Sequence, residues 1–451
     1  MMKKPKENNA INNILILFLI IQPIFDIKIF YNSISTLIRV IIIFALFLYY
    51  FFIKKDNSNT LLCGKKKYFL LIYPILIGIY FVFHQINAMY FHSLVPGDFN
   101  YSMIKEALYF VKMLSPFLLI YCIYKAELSH DTIINIMKSL ILIIGLVIIL
   151  SNIFVVSYGN YSDSIIKANF FEWFNNNSTY TYKDLASKGL FEYGNQISAI
   201  LIMFLPFAIY LFAKKHTAIN LITLIVDVFA LTLLCTRVSV IGVFIVFIYT
   251  AFAYSFVYIM SKKRFNIKDV LPICVVLLVY SSLLPINPMF NRINERQTVI
   301  DTFKEEEKNQ TSQDSDDSQE NISPSQEETD SDANYIYKLN YIKKHYLKKD
   351  LHEQFFIENY PYQYDTDFWY DFLQKDISLT TNYRYVELCM VKRVVEINNN
   401  KMDKWFGITN TRLQNIFNIE KDFVVQYYAL RNYWNYFSFC TLLCTHWTIC
   451  I

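Results

Sequence analysis

The sequence predicts an all-α protein: a polytopic bundle of transmembrane helices with a large extracytoplasmic loop domain before its last helix. Three observations lead to this prediction. Of the 451 residues, 54% are hydrophobic and only 18% are charged. The hydrophobic residues fall in runs long enough to cross a hydrocarbon core of about 30 Å. Lysine and arginine collect between alternate runs, which is the pattern that orients membrane helices.

The apolar runs predict about nine helices within residues 1–286, because each approaches the length that a membrane span requires. In chain order they cover residues 13–26, 35–53, 68–83, 108–124, 136–156, 196–212, 219–235, 238–260 and 270–284. The first run is short and reaches 31 if its charged residues lie at the membrane interface. No secretory cleavage pattern follows it, so we interpret it as a retained span.

The orientation of these helices follows from their basic loops, since short loops rich in Lys and Arg stay in the cytoplasm. The basic residues precede the first helix and follow the second, fourth, sixth and eighth. They are Lys3, Lys4, Lys6, Lys54, Lys55, Lys65, Lys66, Lys67, Lys125, Lys214, Lys215, Lys262, Lys263 and Arg264. This alternation predicts a cytoplasmic N-terminus. It places the loops 85–106, 157–195 and 287–422 outside.

The long loop 287–422 divides by composition into two parts. Residues 305–332 are almost entirely Glu, Asp, Ser, Gln and Thr, which cannot bury enough apolar surface to become ordered. We interpret them as a disordered acidic insert. Aromatic residues return between 335 and 417 with basic residues among them. This stretch predicts a small folded cap, helical and lying on the outer membrane surface.

The C-terminal segment contains a change of composition. Residues 423–430 begin a tenth helix, but the tail after 430 holds three of the eight cysteines and two of the five tryptophans. Back-translation with AT-rich codons and a shift of one nucleotide turns this tail into an apolar span that begins GIIG. Our hypothesis is a frameshift or a pseudogene end, which sequencing of the gene's 3′ end tests. The alternative is a genuine short amphipathic tail.

Composition also bounds the function. The formal net charge of +4 is divided among loops and one acidic tract, so it provides no basic stripe for nucleic acid. The eight cysteines lack the paired spacing of a zinc site or a disulfide framework. Abundant Ile, Lys and Asn with only 9 Gly indicate AT-rich codons and therefore a low-GC bacterium.

Charged residues within or beside membrane helices are costly and are candidates for function. Arg39, Lys112 and Arg237 fall in the outer half of the predicted topology. Together they predict a basic rim for a phosphate-bearing lipid, because guanidinium groups bind phosphate oxygens in pairs. The alternative is that they reach ordinary lipid headgroups. Asp227 is predicted to be a salt-bridge partner and not a catalyst.

The long loop adds further candidates. Its basic residues are Arg384, Lys392, Arg393 and Arg412. Glu420 and Asp422 stand just before the tenth helix, and one of them is a candidate general base; the alternative is a solvated helix start that favours acids. His345 and His352 can share a helix face, and the lysines around them favour a solvated surface.

Several segments together resemble the membrane O-antigen polymerase and O-antigen ligase superfamily, in the form found in low-GC Gram-positive bacteria. They are ILILFLIIQPIFDI, STLIRV, SKGLFEYGNQISA, CTRVSVIG, NYRYVELCMVKRVVEINNNKMDKWFGIT and IEKDFVVQYYAL. Each is short and apolar, and their order, with the large loop before a late helix, carries the resemblance.

The resemblance implies an enzyme of the plasma membrane that takes a glycan from a polyprenyl diphosphate carrier and passes it to an acceptor sugar hydroxyl. By motif, Arg237 in TRVS and Arg384 in NYRYVEL would hold the pyrophosphate. Many relatives place a His before the late helix; here that position falls near Glu420. It also implies metal-independent chemistry without a cofactor, and membrane lipids as surroundings. Polymerase and ligase both remain open, as does the sugar.

Two other classes compete with the enzyme. The first is a transporter or flippase of lipid-linked or anionic solutes, whose sites usually lie at the membrane midplane between broken helices. The second is a structural or regulatory membrane protein, which leaves the basic rim unexplained. The predicted clustering of charge at the outer boundary favours the enzyme.

Overall fold

The computed structural model describes residues 10–31, 33–53, 65–95, 101–160, 162, 164–175, 180–261, 267–295, 297–298, 301–302, 305, 330–346, 360–380, 382–416 and 428. Within these residues the regular structure is helical, and the only β-type pairings are isolated bridges. The predicted all-α class is therefore confirmed for the described part. The predicted tenth helix, the tail after 430 and the acidic insert between 306 and 329 lie outside it.

Sixteen helices are named here. They are α1 Ala10–Ile21, α2 Ser33–Leu48, α3 Lys65–Ala88, α4 Met103–Ala126, α5 His130–Ile153, α6 Tyr182–Leu185, α7 Gly194–Lys214, α8 Ala218–Leu234, α9 Arg237–Ser261, α10 Ile267–Leu283, α11 Asp330–Tyr346, α12 Thr366–Leu373, α13 Ile377–Thr380, α14 Tyr383–Asn398, α15 Asp403–Phe406 and α16 Asn410–Ile416.

Each of the nine predicted apolar segments is helical, with ends that differ by a few residues. The first shows why: α1 ends at Ile21 and gives way to a 3-10 turn, Gln22–Asp26, because Pro23 has no N–H for an α-helical bond. Among the described residues, six helices are long and apolar enough to cross a membrane. They are Ile34–Phe52, Met103–Ala126, His130–Ile153, Gly194–Lys214, Arg237–Phe256 and Leu271–Glu295. The other three are shorter apolar helices: Ala10–Asp26, Ile75–Ala88 and Ala218–Leu234.

Contacts divide the chain into two compact units. Unit 1 consists of Met1–Lys54 and Ser115–Gln297, and unit 2 of Lys55–Leu114 and Thr298–Ile451. The contacts group α3 with the segment after 298 in unit 2. Apolar periodicity reveals a buried face but not the partner that covers it.

The core of unit 1 forms around α8, which is buried on several faces by α5, α7 and α9. The helices approach closely at Gly145 of α5, where an added Cβ would lie 2.4 Å from Val226 of α8. Asp227 is fully buried in α8, and neither carboxylate oxygen has a hydrogen-bond partner among the described residues. The prediction that Asp227 forms a salt bridge is therefore wrong within the described chain.

Hydrogen bonds identify the two ends of unit 1. At one end Asn12 joins the segment directly after α2 to the end of α4, since it accepts from Tyr50 at 2.7 Å and donates to the Ala126 carbonyl at 3.2 Å. At the other end lie the loop 22–31, the loop 154–193, the turn 235–236 and the segment 284–295, which bond to one another. We call this second end the polar end of unit 1.

Unit 2 has its own apolar core, built from α3, α11, α12 and α14. Beside it, Arg393 binds Asp365 through two hydrogen bonds, of 2.7 Å from Nε and 2.9 Å from Nη2. Tyr360 donates a third bond of 2.6 Å to the same carboxylate. The bonds from Arg393 favour its charged form and raise the pKa of its guanidinium. This cluster holds α12 to α14, because Asp365 is also the N-terminal cap of α12.

We expect Arg393→Ala to destabilise unit 2. Loss of the guanidinium leaves the Asp365 carboxylate without its cation, and the Asp365 side chain is only 3% exposed. Removing one partner of a buried pair costs about 3–5 kcal/mol, and the partial exposure of Arg393 reduces this to about 2–3 kcal/mol. The measurement is the thermal unfolding midpoint of purified protein.

The control is Lys392→Ala, one residue away, whose pair with Glu396 is exposed and 3.8 Å long. Exposed pairs contribute about 0–1 kcal/mol, so this midpoint should barely move. Equal shifts for the two variants would contradict the role given to Arg393.

Candidate functional site

The C-terminus of α8 is the centre of the polar end of unit 1. The last carbonyl groups of a helix have no partner within it, and in an apolar interior each needs a donor from elsewhere. Four consecutive carbonyls, from residue 232 to 235, each accept from a different group. The bonds are Asn287 Nδ2 to Thr232 O, 3.2 Å; Ser187 N to Leu233 O, 3.1 Å; Asn160 Nδ2 to Leu234 O; and Tyr182 Oη to Cys235 O, 3.1 Å.

The turn after α8 is fixed as firmly as its end. Cys235 adopts a left-handed conformation with φ of 49° and stops the helix. Thr236 and Ser239 then bond reciprocally: each backbone N–H donates to the other hydroxyl, at 3.1 and 2.9 Å. Such an exchange caps a helix start. The α9 helix therefore begins at Arg237. In the CTRVS motif, Cys235 ends α8, Thr236 and Ser239 cap the start of α9, and Arg237 is exposed.

The Thr236 cap also connects the turn to α7. Its hydroxyl lies 3.0 Å from that of Ser198 on α7. One turn earlier, α7 begins at Gly194, where an added Cβ would lie 2.0 Å from Asn160 Oδ1. Glycine is required there so that Asn160 can reach the Leu234 carbonyl. The start of α7, the end of α8 and the start of α9 thus form one hydrogen-bonded junction.

Two arginines lie at this junction. Arg237 is exposed at the first position of α9. The guanidinium carbon of Arg292 lies 5.4 Å from the ring centre of Tyr182, the residue whose hydroxyl binds the Cys235 carbonyl. The Tyr182 N–H in turn donates to Glu295 at 3.0 Å. Sequence reasoning missed Arg292, which follows the ninth apolar run directly and could have been found by its place there.

Arg39 and Lys28 lie near the loop 22–31 of the same unit. Arg39 donates to Asp26 at 2.8 Å, so this member of the predicted basic rim is held in an ion pair. Lys28 lies over the ring of Tyr158, with its Nζ 4.8 Å from the ring centre. The loops are joined by bonds from Lys28 N to Leu190 O, 2.8 Å, and from Glu192 N to Asp26 O, 3.1 Å.

An open pocket lies where these loops meet the start of α7. Its empty space is about 240 Å³, part of it open to solvent. The lining combines carboxylates, phenol rings, one amide and two aliphatic side chains: Asp26, Glu192, Tyr31, Tyr193, Gln196, Ile197 and Ile200. The rings of Tyr31 and Tyr193 meet edge to face, with centres 5.5 Å apart.

The remaining predicted cations belong to unit 2. Lys112 on α4 and Arg384 in the first turn of α14 are exposed, and each has a further interaction. Arg393 is held by Asp365, and Lys392 pairs with Glu396 on its own helix.

Arg412 is 7% exposed and stacks on Phe91 and Tyr101, with its guanidinium carbon 4.4 and 4.8 Å from their ring centres. Glu420, Asp422, His352 and the side chain of His345 lie outside the described residues.

Unit 2 also contains a buried histidine and glutamate that sequence reasoning missed. His84 Nε2 lies 2.9 Å from Glu106 Oε1, and both side chains are fully buried. Glu106 accepts the backbone N–H groups of Asn410 and Thr411 at 3.3 and 3.0 Å. The pair therefore fixes the start of α16.

We expect Asn160→Ala to destabilise unit 1, because the Leu234 carbonyl loses its donor in a buried place. An unsatisfied buried group costs about 1–3 kcal/mol, which a thermal unfolding midpoint detects. Asn175→Ala is the control: Asn175 also donates from its amide, to Glu172 at 3.1 Å, but in an exposed position. Substitutions at such surface positions change the free energy of unfolding by no more than about 0.5 kcal/mol. A control as damaging as Asn160→Ala would contradict the capping role.

The Asp184 carboxylate predicts a dependence on pH. Partial burial opposes its charge, but the hydrogen bonds from Thr181 and the ion pair with Lys167 outweigh it and lower the pKa of Asp184. Because the pKa of Asp184 is lower in the folded state, its ionised carboxylate stabilises the fold at pH values above the unfolded pKa of about 3.9. This stabilisation is lost as the pH falls through the folded pKa.

We therefore expect the stability difference between wild type and Asp184→Asn, measured by unfolding midpoints, to be largest near neutral pH and to disappear on acidification. A difference independent of pH between 7 and 3 would contradict this assignment.

Comparison with known protein families identifies a match over most of the chain. The profile of a family described as O-antigen ligase-like membrane protein matches residues 8–432, which is nearly the whole chain. No curated protein and no solved structure matches it.

Proposed function

The chain belongs to the O-antigen ligase-like membrane protein family, and from this membership we propose that it transfers a glycan from a polyprenyl diphosphate carrier to the hydroxyl of an acceptor sugar. The family supports a role as a membrane glycan ligase or polymerase, and the apolar helices support a multi-pass membrane protein. We further propose that the reaction takes place on the outer face of the plasma membrane of a Gram-positive bacterium, without a metal or cofactor.

The observation that carries the proposal is the fixed position of Arg237. The reaction leaves a diphosphate whose negative charge grows in the transition state, and cations that are already in place stabilise such charge without reorganisation. The capped end of α8 and the Thr236–Ser239 exchange hold the backbone of Arg237, while its side chain stays exposed. Arg292 supplies a second guanidinium beside the same turn.

Other residues enter by family resemblance. Arg384 in NYRYVEL is proposed as a further ligand of the pyrophosphate, with Arg39 and Lys112 adding positive charge for the lipid headgroup. Glu420 and Asp422 remain sequence-based candidates for the general base. The ion pair with Asp26 offsets part of the positive charge of Arg39. No comparison favours the transporter or flippase alternative.

Arg237→Ala should lower the turnover of the lipid-linked donor by about 10²–10³-fold, the loss that follows removal of one donor to a developing anion. Arg237→Lys should recover part of the rate, because Lys keeps the charge but not the two-pronged geometry. Arg384→Ala should also lower the turnover of the lipid-linked donor. The measurement is release of polyprenyl diphosphate by purified protein given lipid-linked oligosaccharide from the source organism, together with surface glycan length.

Lys183→Ala serves as the control, because it removes an exposed cation from the loop 154–193. Its turnover should stay within about twofold of the wild-type rate, since exposed surface charges are screened by salt. Normal turnover and glycan length in folded Arg237→Ala protein would overturn the proposed function.

A further inference from the structure

We propose that the segment 399–407, which lies against the end of α3, docks on an anionic lipid surface where that helix leaves the bilayer. Trp405 and Met402 would enter the interfacial layer, and Lys401 and Lys404 would bind lipid phosphates. We call this segment the α15 turn, because it contains α15. The inference goes beyond glycan transfer and needs only that the chain is a membrane protein.

The α15 turn is tied to the last turns of α3 by hydrogen bonds within unit 2. The Tyr80 hydroxyl donates to the Phe406 carbonyl at 3.2 Å, and His84 Nδ1 lies 2.6 Å from the same oxygen. One turn further on, Asn87 Nδ2 donates to the Gly407 carbonyl at 3.1 Å. These α3 residues are spaced three or four apart and share one face of the helix. The α15 turn is therefore held alongside the C-terminal end of α3.

The end of α3 has a second, apolar face that is left uncovered. Its exposed residues recur every three or four positions, as on one side of a helix, and are Ile79, Val82, Phe83 and Ile86. An uncovered apolar stripe on a helix of a membrane protein is the surface that meets lipid. The ring of Phe83 stacks on that of Phe406, with centres 5.8 Å apart and planes inclined by 19°. The lipid-facing stripe of α3 thus continues into the α15 turn.

The α15 turn directs its apolar side chains outward and its carboxylate inward. Trp405 is 55% exposed and Met402 is 47% exposed. Asp403, which stands between them, is only 2% exposed and accepts hydrogen bonds from Asn87, at 2.8 Å, and from Asn398. This arrangement is the reverse of a water-facing turn. An exposed indole beside the end of an apolar helix is typical of the membrane interface, where tryptophan is enriched.

Charge identifies the kind of lipid. The segment 399–407 contains three ionisable side chains, and the acidic one, Asp403, is buried. Lys401 and Lys404 are exposed, and no ion pair involves either of them within the described part of the chain. Lysine can lay its aliphatic stem along apolar surface while its ammonium group reaches the headgroups. Two lysines next to exposed Trp and Met therefore complement an anionic phospholipid surface.

The first test measures the depth of Trp405 in full-length protein reconstituted into nanodiscs. The Trp405 signal is the difference between the emission of wild type and that of Trp405→Phe, because the chain has four other tryptophans. We expect lipids brominated beside the headgroup to remove most of this emission. Lipids brominated near the end of the acyl chain should remove little of it, and acrylamide in the water should quench it weakly.

The second test measures lipid preference in nanodiscs that mix phosphatidylglycerol with phosphatidylcholine, one of the two brominated at a time. Emission should be lost more readily to brominated phosphatidylglycerol. The double variant Lys401→Gln/Lys404→Gln should lower this preference by roughly fivefold for each lysine, which corresponds to about 1 kcal/mol for each basic residue at an anionic surface. Lys392→Gln, which removes an exposed lysine of α14 outside the α15 turn, should leave it unchanged.

Each outcome decides a part of the proposal. Strong quenching by acrylamide and none by brominated lipid would show the α15 turn in water and overturn it. Protection of Trp405 from both quenchers would mean that protein covers this face, for example a second copy of the chain, and would also overturn it. Equal loss to the two lipids in wild type would overturn the role of the lysines. The second test keeps Trp405 in place, so it decides even if Trp405→Phe fails to fold.

These results are independent of the proposed function. Donor turnover in the Arg237 variants tests glycan transfer, whereas the depth and lipid preference of Trp405 require no reaction. A positive result in one and a negative result in the other would therefore separate the two proposals.

Discussion

The need of the α8 carbonyl groups for hydrogen-bond donors organises unit 1. An apolar helix that ends inside a protein leaves carbonyls that neither lipid nor a dry core can satisfy. Here the donors come from three segments that are far apart in the sequence, at residues 160, 182–187 and 287. These hydrogen bonds hold the loop 154–193 and the segment 284–295 against the turn that carries Arg237. The candidate site therefore forms where the C-terminus of α8 is capped.

Unit 2 contains the opposite kind of helix end, a start whose N–H groups need acceptors, and it is also completed by hydrogen bonds from a distant segment. The start of α16 has backbone N–H groups that need acceptors. The buried carboxylate of Glu106 accepts two of them, and His84 contacts Oε1, the oxygen that also accepts the Asn410 N–H. In each unit a polar group from a distant segment completes a helix end. The chain therefore ties its irregular segments to its apolar helices through backbone groups, and these ties leave side chains such as Arg237 exposed.

Sequence reasoning located the helices because apolar runs and helix length are local properties. It found Arg237 for the same reason, since a charged residue directly beside an apolar run is also a local feature. It could have found Arg292 by its place after the ninth apolar run, but not the pocket around Glu192, because that pocket depends on which loops meet and no periodicity encodes a contact between residues 26 and 192. It also predicted a partner for Asp227 on the rule that buried charges are paired, and the described residues provide none.

That buried carboxyl has a consequence for how the protein is made. Asp227 stands near the middle of α8, and an Asp there adds about 2.5–3.5 kcal/mol to the cost of inserting a helix by itself. With only 17 residues, α8 has little apolar length to offset this cost. We therefore infer that α8 enters the bilayer together with its neighbours and not alone.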